Sequence, residues 1–329
     1  MVEQRTSDGS DTFEAMVARS RTLIRRILHF GSMVGIGLSG AQAQSPIDGA
    51  LPDALTSRTA RCCLTVTTTT LVVGTAASFI ALDRAWYSGY DRSPFHFFND
   101  GAEWLQMDKT GHFFSTYTLG SWSNAMLRHC GMQERRARWV GGSVGLVLLT
   151  GVEILDGTSA GWGFSAWDMV ANVGGASLFI GQDALWGEQR IRPKLSAHLT
   201  DFAAQRPDLL GSGLADRILK DYNGLTLWLS GNVNSLTGCD ALPPWLNVAV
   251  GYGAEGMITA MEPTYPETSP ANERWYRQFY LSPDIDLTRV KTRSKALRTV
   301  FFVLNSIKIP APALEVRSTG KVVGHWLYF

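Results

Sequence analysis

Between residues 108 and 182 the ionisable side chains are confined to a few fixed places inside glycine-rich, apolar sequence. Asp108 and His112 are four apart and share a helix face, with Lys109 beside them. Glu153 stands inside Leu148-Leu-Thr-Gly-Val-Glu-Ile-Leu155 without a countercharge close in sequence. Buried carboxylates need partners, so Glu153 must find one in space, and Lys109 is the expected one. Ser165-Ala-Trp-Asp168 fits a capping box, in which Ser165 accepts from the backbone at Asp168 and the Asp168 side chain reaches back. Asn172 lies one turn beyond Asp168, so the Asp168/Asn172 edge is expected to meet the Asp108/His112 edge across a helix interface.

This set suits acid–base work, with His112, Glu153 and Asp168 as catalytic candidates and Asp108, Lys109, Asp156, Trp162 and Asn172 as binding candidates. It equally suits a divalent metal with oxygen and imidazole ligands, or a polar network that only holds helices in register. The loop Asp156-Gly-Thr-Ser-Ala-Gly-Trp-Gly-Phe164 brings glycines that let backbone approach a ligand, and Trp162 and Phe164 to stack on it or anchor at a membrane surface. Read more plainly, it is a helix-helix connection. No motif specifies an activated Ser or Cys nucleophile.

The elements that must position these residues are helices. Trp104 to Leu127, Ala137 to Leu155 and Trp167 to Trp186 each read as one, and Gly141, Gly142, Gly145, Gly174, Gly175 and Gly181 supply small faces for close approach. Before them, Cys62 to Leu82 is apolar and Thr-rich, either a membrane helix or a buried helix of a bundle. From about Arg190 the texture becomes short alternating runs punctuated by Gly and Pro, the signature of antiparallel sheet. Runs around Lys194–His198, Leu225–Leu229, Leu246–Tyr252, Gln278–Ser282, Ala313–Arg317 and Val322–Phe329 are the expected strands, with one amphipathic helix at Arg293–Asn305. The fold class is therefore α+β: a glycine-rich helical bundle over 61–190, then a mainly antiparallel β region over 191–329. The closing aromatic run to Phe329 resembles the last strand of an outer-membrane barrel, and a soluble sandwich is the other arrangement.

The 329 residues, 45% hydrophobic and 18% charged, suffice for a sizeable core. Thirty Lys+Arg against twenty-nine Asp+Glu leave a net charge of +1, so nucleic acid is not an expected partner. Membrane or envelope lipids are, given eleven Trp, fifteen Phe and thirty-three Gly. Residues 1–43 read as an export signal with an over-long start: Arg19, Arg21, Arg25 and Arg26, an apolar stretch Ile27–Leu38, and Ala41-Gln-Ala43 before the cleavage point. Residues 44–60 form a linker, and an uncleaved N-terminal anchor is the alternative reading. No Cys follows Ala43, so lipid attachment is not expected there. Of Cys62, Cys63, Cys130 and Cys239, the pairing Cys130 with Cys239 is the one guessed.

Asp108-Lys-x-x-His-Phe, Glu153 in an apolar helix and Ser165-x-x-Asp168-x-x-x-Asn172-x-x-Gly175-Ala resemble the pattern of VanZ-like membrane proteins over residues 105–180. With Glu153-Ile-Leu-Asp-Gly-x-Ser-Ala-Gly-Trp-Gly-Phe-Ser and Gly181-Gln182 added, the chain is more similar to an uncharacterised exported family, the YfiM-like predicted periplasmic lipoproteins. Asp221-Tyr-Asn-Gly, Trp245-Leu-Asn-Val-Ala-Val-Gly-Tyr-Gly-Ala-Glu-Gly-Met and the closing His325-Trp-Leu-Tyr-Phe look like its longer Gram-negative members. The resemblance implies an exported periplasmic or outer-membrane protein and no defined activity. The first functional reading is an envelope-maintenance or structural protein. The second is an envelope hydrolase or transferase on a lipid-linked or cell-wall substrate, using His112, Glu153 and Asp168. The third is an outer-membrane barrel or transport component. Side chains converging around a solvent-connected centre favour the second; a sealed, mutually satisfied network favours the first.

Overall fold

Glycine decides where the helices of this protein touch. A computed structural model describes residues 58–87, 90–239, 241–264 and 274–329. The export signal and all but the end of the expected linker lie outside the described residues. Helix α1, Arg58–Leu82, takes in the last three linker positions. A two-residue strand β1, Phe97–Phe98, is followed by α2, Met107–His129. Helices α3, Glu134–Gly142, and α4, Val144–Asp156, come next. Strand β2, Phe164–Ser165, pairs in parallel with β1 and leads into α5, Ala166–Trp186.

Helix α2 is the hub of this half. A side chain at Gly145 of α4 would meet the Thr116 carbonyl at 2.4 Å, and one at Gly175 of α5 would meet the Phe113 carbonyl at 2.3 Å. Gly141 packs as closely on Asn124. Gly181, expected in the same role, has nothing within 4 Å of its virtual Cβ. The single helix expected over Ala137–Leu155 is two, broken at Ser143. The Ser143 hydroxyl donates to the Trp139 carbonyl at 2.7 Å, a back-bond that competes with the helix ladder just after Gly141-Gly142. None of the residues of α1 is buried, which rules out the reading of this segment as a buried bundle helix. A Cys63–Cys130 disulfide ties α1 to the end of α2, so the guessed Cys130–Cys239 pairing is wrong; Cys62 and Cys239 are free and exposed.

The second half is an antiparallel meander in chain order. Its strands are β3, Ile191–Ala197, β4, Leu225–Asn232, β5, Leu246–Glu255, and β6, Tyr276–Ile285. Helix α6, Lys295–Leu304, intervenes before β7, Ala311–Arg317, and β8, Val322–Tyr328. All the expected strands form, each from a run that carries period-two or β-rich signals. The barrel does not close: β3 and β8 do not pair, and the free side of β3 is met by a single bridge from Leu195 to Ile307. The sheet nonetheless curls. The Thr226 and Tyr328 hydroxyls, on β4 and β8, lie 2.9 Å apart across its inner face.

Helices and sheet share a core and belong to one compact unit. Leu105 and Met107 at the start of α2 pack with Ala254, Met257 and Trp275 at one end of the sheet. That contact sets where α2 begins, and with it the site.

Candidate functional site

Helix α2 starts three residues later than apolar periodicity suggests, because Trp104, Leu105 and Gln106 are left-handed, with φ of 51°, 49° and 67°. Three such residues in a row cost on the order of 1–2 kcal/mol each. The turn is clamped by what surrounds it. Trp104 N–H donates to the Ala260 carbonyl at 2.8 Å, Arg277 donates to Gln106 Oε1 at 2.8 Å, and the Tyr252 hydroxyl donates to the Leu105 carbonyl. The sheet thus holds the strained turn that aims Asp108, Lys109 and His112 at α5.

Lys109 Nζ lies 2.5 Å from Asp100 Oδ2, 3.2 Å from Asp108 Oδ2 and 3.1 Å from Asp168 Oδ1. Ser165 joins them by donating to Asp100 Oδ1 at 2.5 Å. The expected cap forms in one half: Asp168 N–H donates to Ser165 Oγ at 3.0 Å. The other half is taken by Glu153, whose Oε2 accepts from Ser165 N–H at 3.0 Å, while Asp168 turns to the ammonium. Glu153 therefore does not pair with Lys109 as expected.

Burial pushes the Asp168 carboxyl up to about 9, with the Asp108 charge and a hydrogen bond to Asp100 acting in the same direction. For Asp100 burial is outweighed by hydrogen bonds from Asp168, Lys109 and Ser165, which leave it below the usual carboxylate range. Asp168 thus holds a proton and shares it with Asp100. Burial works against the Lys109 charge, yet the Asp108, Asp168 and Asp100 carboxylates more than offset it and hold the ammonium charged well above its ordinary range.

A pH prediction follows. Because the folded-state pKa of Asp168 is raised, its contribution to stability is full below the ordinary value of 3.8 and is lost as pH rises towards about 9. Asp168→Asn cannot ionise and keeps a donor for Asp100. Its melting temperature minus that of the wild type should therefore grow steadily from pH 5 to pH 9. Parallel curves for the two proteins would show that Asp168 is ionised throughout.

His112 makes the second half of the centre. Its Nδ1 lies 3.1 Å from Asn172 Oδ1, which also accepts from Thr116 Oγ1 at 3.1 Å. An acceptor at Nδ1 assigns the ring proton there and leaves the Nε2 lone pair free. Nε2 faces Asp108 Oδ1 at 3.8 Å and Glu153 Oε1 at 3.7 Å, too far for direct hydrogen bonds. Glu153 is 1% exposed and its Oε1 has no hydrogen-bond partner. The Asp108 and His112 side chains are 25% and 14% exposed, so the centre opens on their side. Tyr222 donates to Asp108 Oδ1 at 2.9 Å, and burial together with that carboxylate holds its phenol proton firmly on.

The structure thus brings together Asp108, Lys109, His112, Glu153, Asp168 and Asn172. Asp156 and Trp162 fall to one side, around Tyr87: its hydroxyl donates to Asp156 Oδ1 at 2.7 Å and its ring meets Trp162 edge-on at 5.5 Å. Asp100 and Tyr222 were not foreseen. Asp100 sits in Asn99-Asp-Gly101, which reads as an ordinary turn, whereas Tyr222 lay within the Asp221-Tyr-Asn-Gly run already noted for its resemblance. Among the described residues Asp108, His112 and Asp168 offer metal-ligand atoms within 4.8 Å of one another. The Lys109 ammonium already lies within 3.2 Å of both carboxylates, so a cation on this trio would face it directly. A cleft of about 310 Å³ lies elsewhere, along Asn124, Arg128, Asp183, Gln189, Arg192 and Arg289.

The segment that carries the centre also carries a family match. Residues 96–180 match the family model of a predicted periplasmic lipoprotein, DUF2279. The matched segment holds every residue of the centre except Tyr222, and the model it matches describes an uncharacterised exported family; the match does not show the VanZ-like motifs. Its description agrees with export to the periplasm. Neither the curated proteins nor the solved structures offer a match.

Proposed function

We propose that this exported envelope protein is a hydrolase or transferase acting on a lipid-linked or cell-wall substrate, with the His112 centre supplying acid–base chemistry. The observation that carries the reading is Glu153 Oε1, buried without a hydrogen-bond partner and aimed at the free Nε2 of His112 on the side where the centre opens. Glu153 Oε2 caps Ser165, but a buried Oε1 left without a partner costs stability and serves no structural end. A hydroxyl or water seated at ordinary hydrogen-bond length from Nε2 would also reach Glu153 and Asp108. His112 then takes its proton, the Asp108 carboxylate steadies the imidazolium, and the Glu153 carboxyl, which burial pushes up to about 8, joins protonated Asp168 as an acid of the set. Binding falls to Asp108, Lys109 and Asn172, with Asp156 and Trp162 at the margin.

The Lys109 half favours a second role in the same protein. Its ammonium pairs with all three carboxylates and joins the Asn99–Gly101 turn, α2 and α5. That half holds the helices in register while the His112 half does chemistry.

The test is complementation of a deletion strain by His112→Ala and Glu153→Gln, with protein level and thermal melting measured alongside, and mass spectrometry of lipid-linked and cell-wall glycans. Both variants should fold and be exported yet fail to restore the envelope phenotype and the glycan profile. Full complementation at wild-type protein level would end the enzymatic reading.

A further inference from the structure

The polarity of the sheet is inverted. Its concave face, where a water-soluble protein keeps its apolar core, holds one aromatic cluster around Trp228 and Tyr280 and is otherwise lined by charged and polar side chains. Lys194 Nζ lies 2.7 Å from Asp284 Oδ2, and both side chains are wholly buried. Ser230 donates to the same Asp284 at 2.6 Å, Asn247 donates to Ser230 at 2.8 Å, and Asn232 donates to Asn247 at 2.8 Å. On the far strands Gln278 donates to Glu315 at 3.0 Å, and Glu315 lies 2.6 Å from His325 Nε2. This network is saturated from within and needs no solvent.

The convex face is the opposite. Register places Leu229, Val250, Leu281 and Leu314 in one row across four strands, and Tyr252, Phe279, Val316 and Val322 in a second. Val250 and Leu281 are 53% and 51% exposed. Arg277, whose guanidinium reaches the turn at Gln106, is the one charged residue at outward positions of the six strands. Water-facing sheets place charged and polar side chains outward; polar-in and apolar-out is the arrangement of strands in lipid.

We infer that the convex face of β4–β8 sits against the hydrocarbon of a lipid bilayer. Three observations select lipid as the occupant. The face carries almost no charge, so nothing on it would recognise a polar or charged partner. Strands of 7 to 10 residues run roughly 23–33 Å at about 3.3 Å per residue, which matches an apolar band of about 25 Å. The face is convex, as the Thr226–Tyr328 contact across its concave side requires, so a second copy applied to it would touch only part of it, whereas fluid chains cover all that the Trp104–Met107 turn leaves open beyond Tyr252. Independently, α1 holds an 18-residue window apolar enough to cross a membrane and none of its residues is buried, so the same chain offers a second surface of this kind. The inference concerns a different surface from the His112 centre and stands whether or not that centre is catalytic.

The test uses the full-length protein with Cys62 and Cys239 replaced by Ser, and a single nitroxide attached through Val250→Cys, Leu281→Cys or Leu314→Cys. Lys321→Cys in the β7–β8 turn is the water-facing control. The protein is reconstituted into vesicles of phosphatidylethanolamine and phosphatidylglycerol, and accessibility to oxygen and to a water-soluble nickel chelate is read by power saturation. The expected result is loss of nickel accessibility with retained oxygen accessibility at 250, 281 and 314, and the reverse at 321. Nickel access at the sheet positions would put the face in water. Exclusion of both reagents, with spin-spin broadening between copies, would make it a protein interface. Failure of the protein to enter the vesicles would also overturn the inference.

Discussion

Lys109→Ala should be the most damaging single substitution in the centre. The side chain is 11% exposed and its ammonium answers Asp100, Asp108 and Asp168, each within 3.2 Å. Removing one partner of a buried ion cluster leaves the others desolvated and uncompensated, a loss of about 3–5 kcal/mol. In a chain of this size that is a fall in melting temperature on the order of 10 °C. The double variant Lys109→Ala/Asp168→Asn should recover part of the loss, because one of the stranded carboxyls is then an amide. A double-mutant cycle measured by thermal unfolding gives the coupling directly. A cost below about 1 kcal/mol, the scale of a surface ion pair, would mean that water reaches the cluster and that the ammonium is not what holds it.

The parts of this architecture that were readable from sequence are those written in local periodicity. Each of the six strands announced itself by period-two or β-rich signals, and alternation has the same period whichever face is apolar. Leu246-Asn-Val-Ala-Val-Gly-Tyr therefore gave the strand but not the inversion, since Asn247 is buried and Val250 exposed. The Ser165 cap was readable because it depends on residues three apart. The reciprocal bond was not, because the Ser165 N–H goes to Glu153, twelve positions earlier on another helix. The left-handed run at Trp104-Leu-Gln106 gave no signal, as none of these residues favours that conformation and the sheet imposes it. Asp100 and Tyr222 needed the fold itself: one reaches Lys109 from a turn, the other reaches Asp108 across 114 positions of chain.

Gly175→Ala should separate α5 from α2, and Gly181→Ala on the same helix should not. Both glycines sit in the interior of α5, where alanine is intrinsically preferred by about 1 kcal/mol. At 181 nothing lies within 4 Å of the new Cβ, so the preference should be realised as a small gain in stability. At 175 the methyl would lie 2.3 Å from the Phe113 carbonyl and 3.1 Å from the Tyr117 amide, both backbone atoms that cannot swing aside. The helices must move apart, at a net cost of about 1–3 kcal/mol. Asn172 is one turn from Gly175, and its 3.1 Å contacts with His112 and Thr116 cross the same interface. Widening it should release the His112 ring, so Gly175→Ala should lose envelope function beyond what its fall in stability explains. Thermal unfolding of both variants, with NMR of the His112 ring nitrogens, separates the effects. Equal melting temperatures for the two variants would mean that α5 does not rest on α2 at Gly175, and that the distance from His112 to Asn172 is held by something other than helix packing.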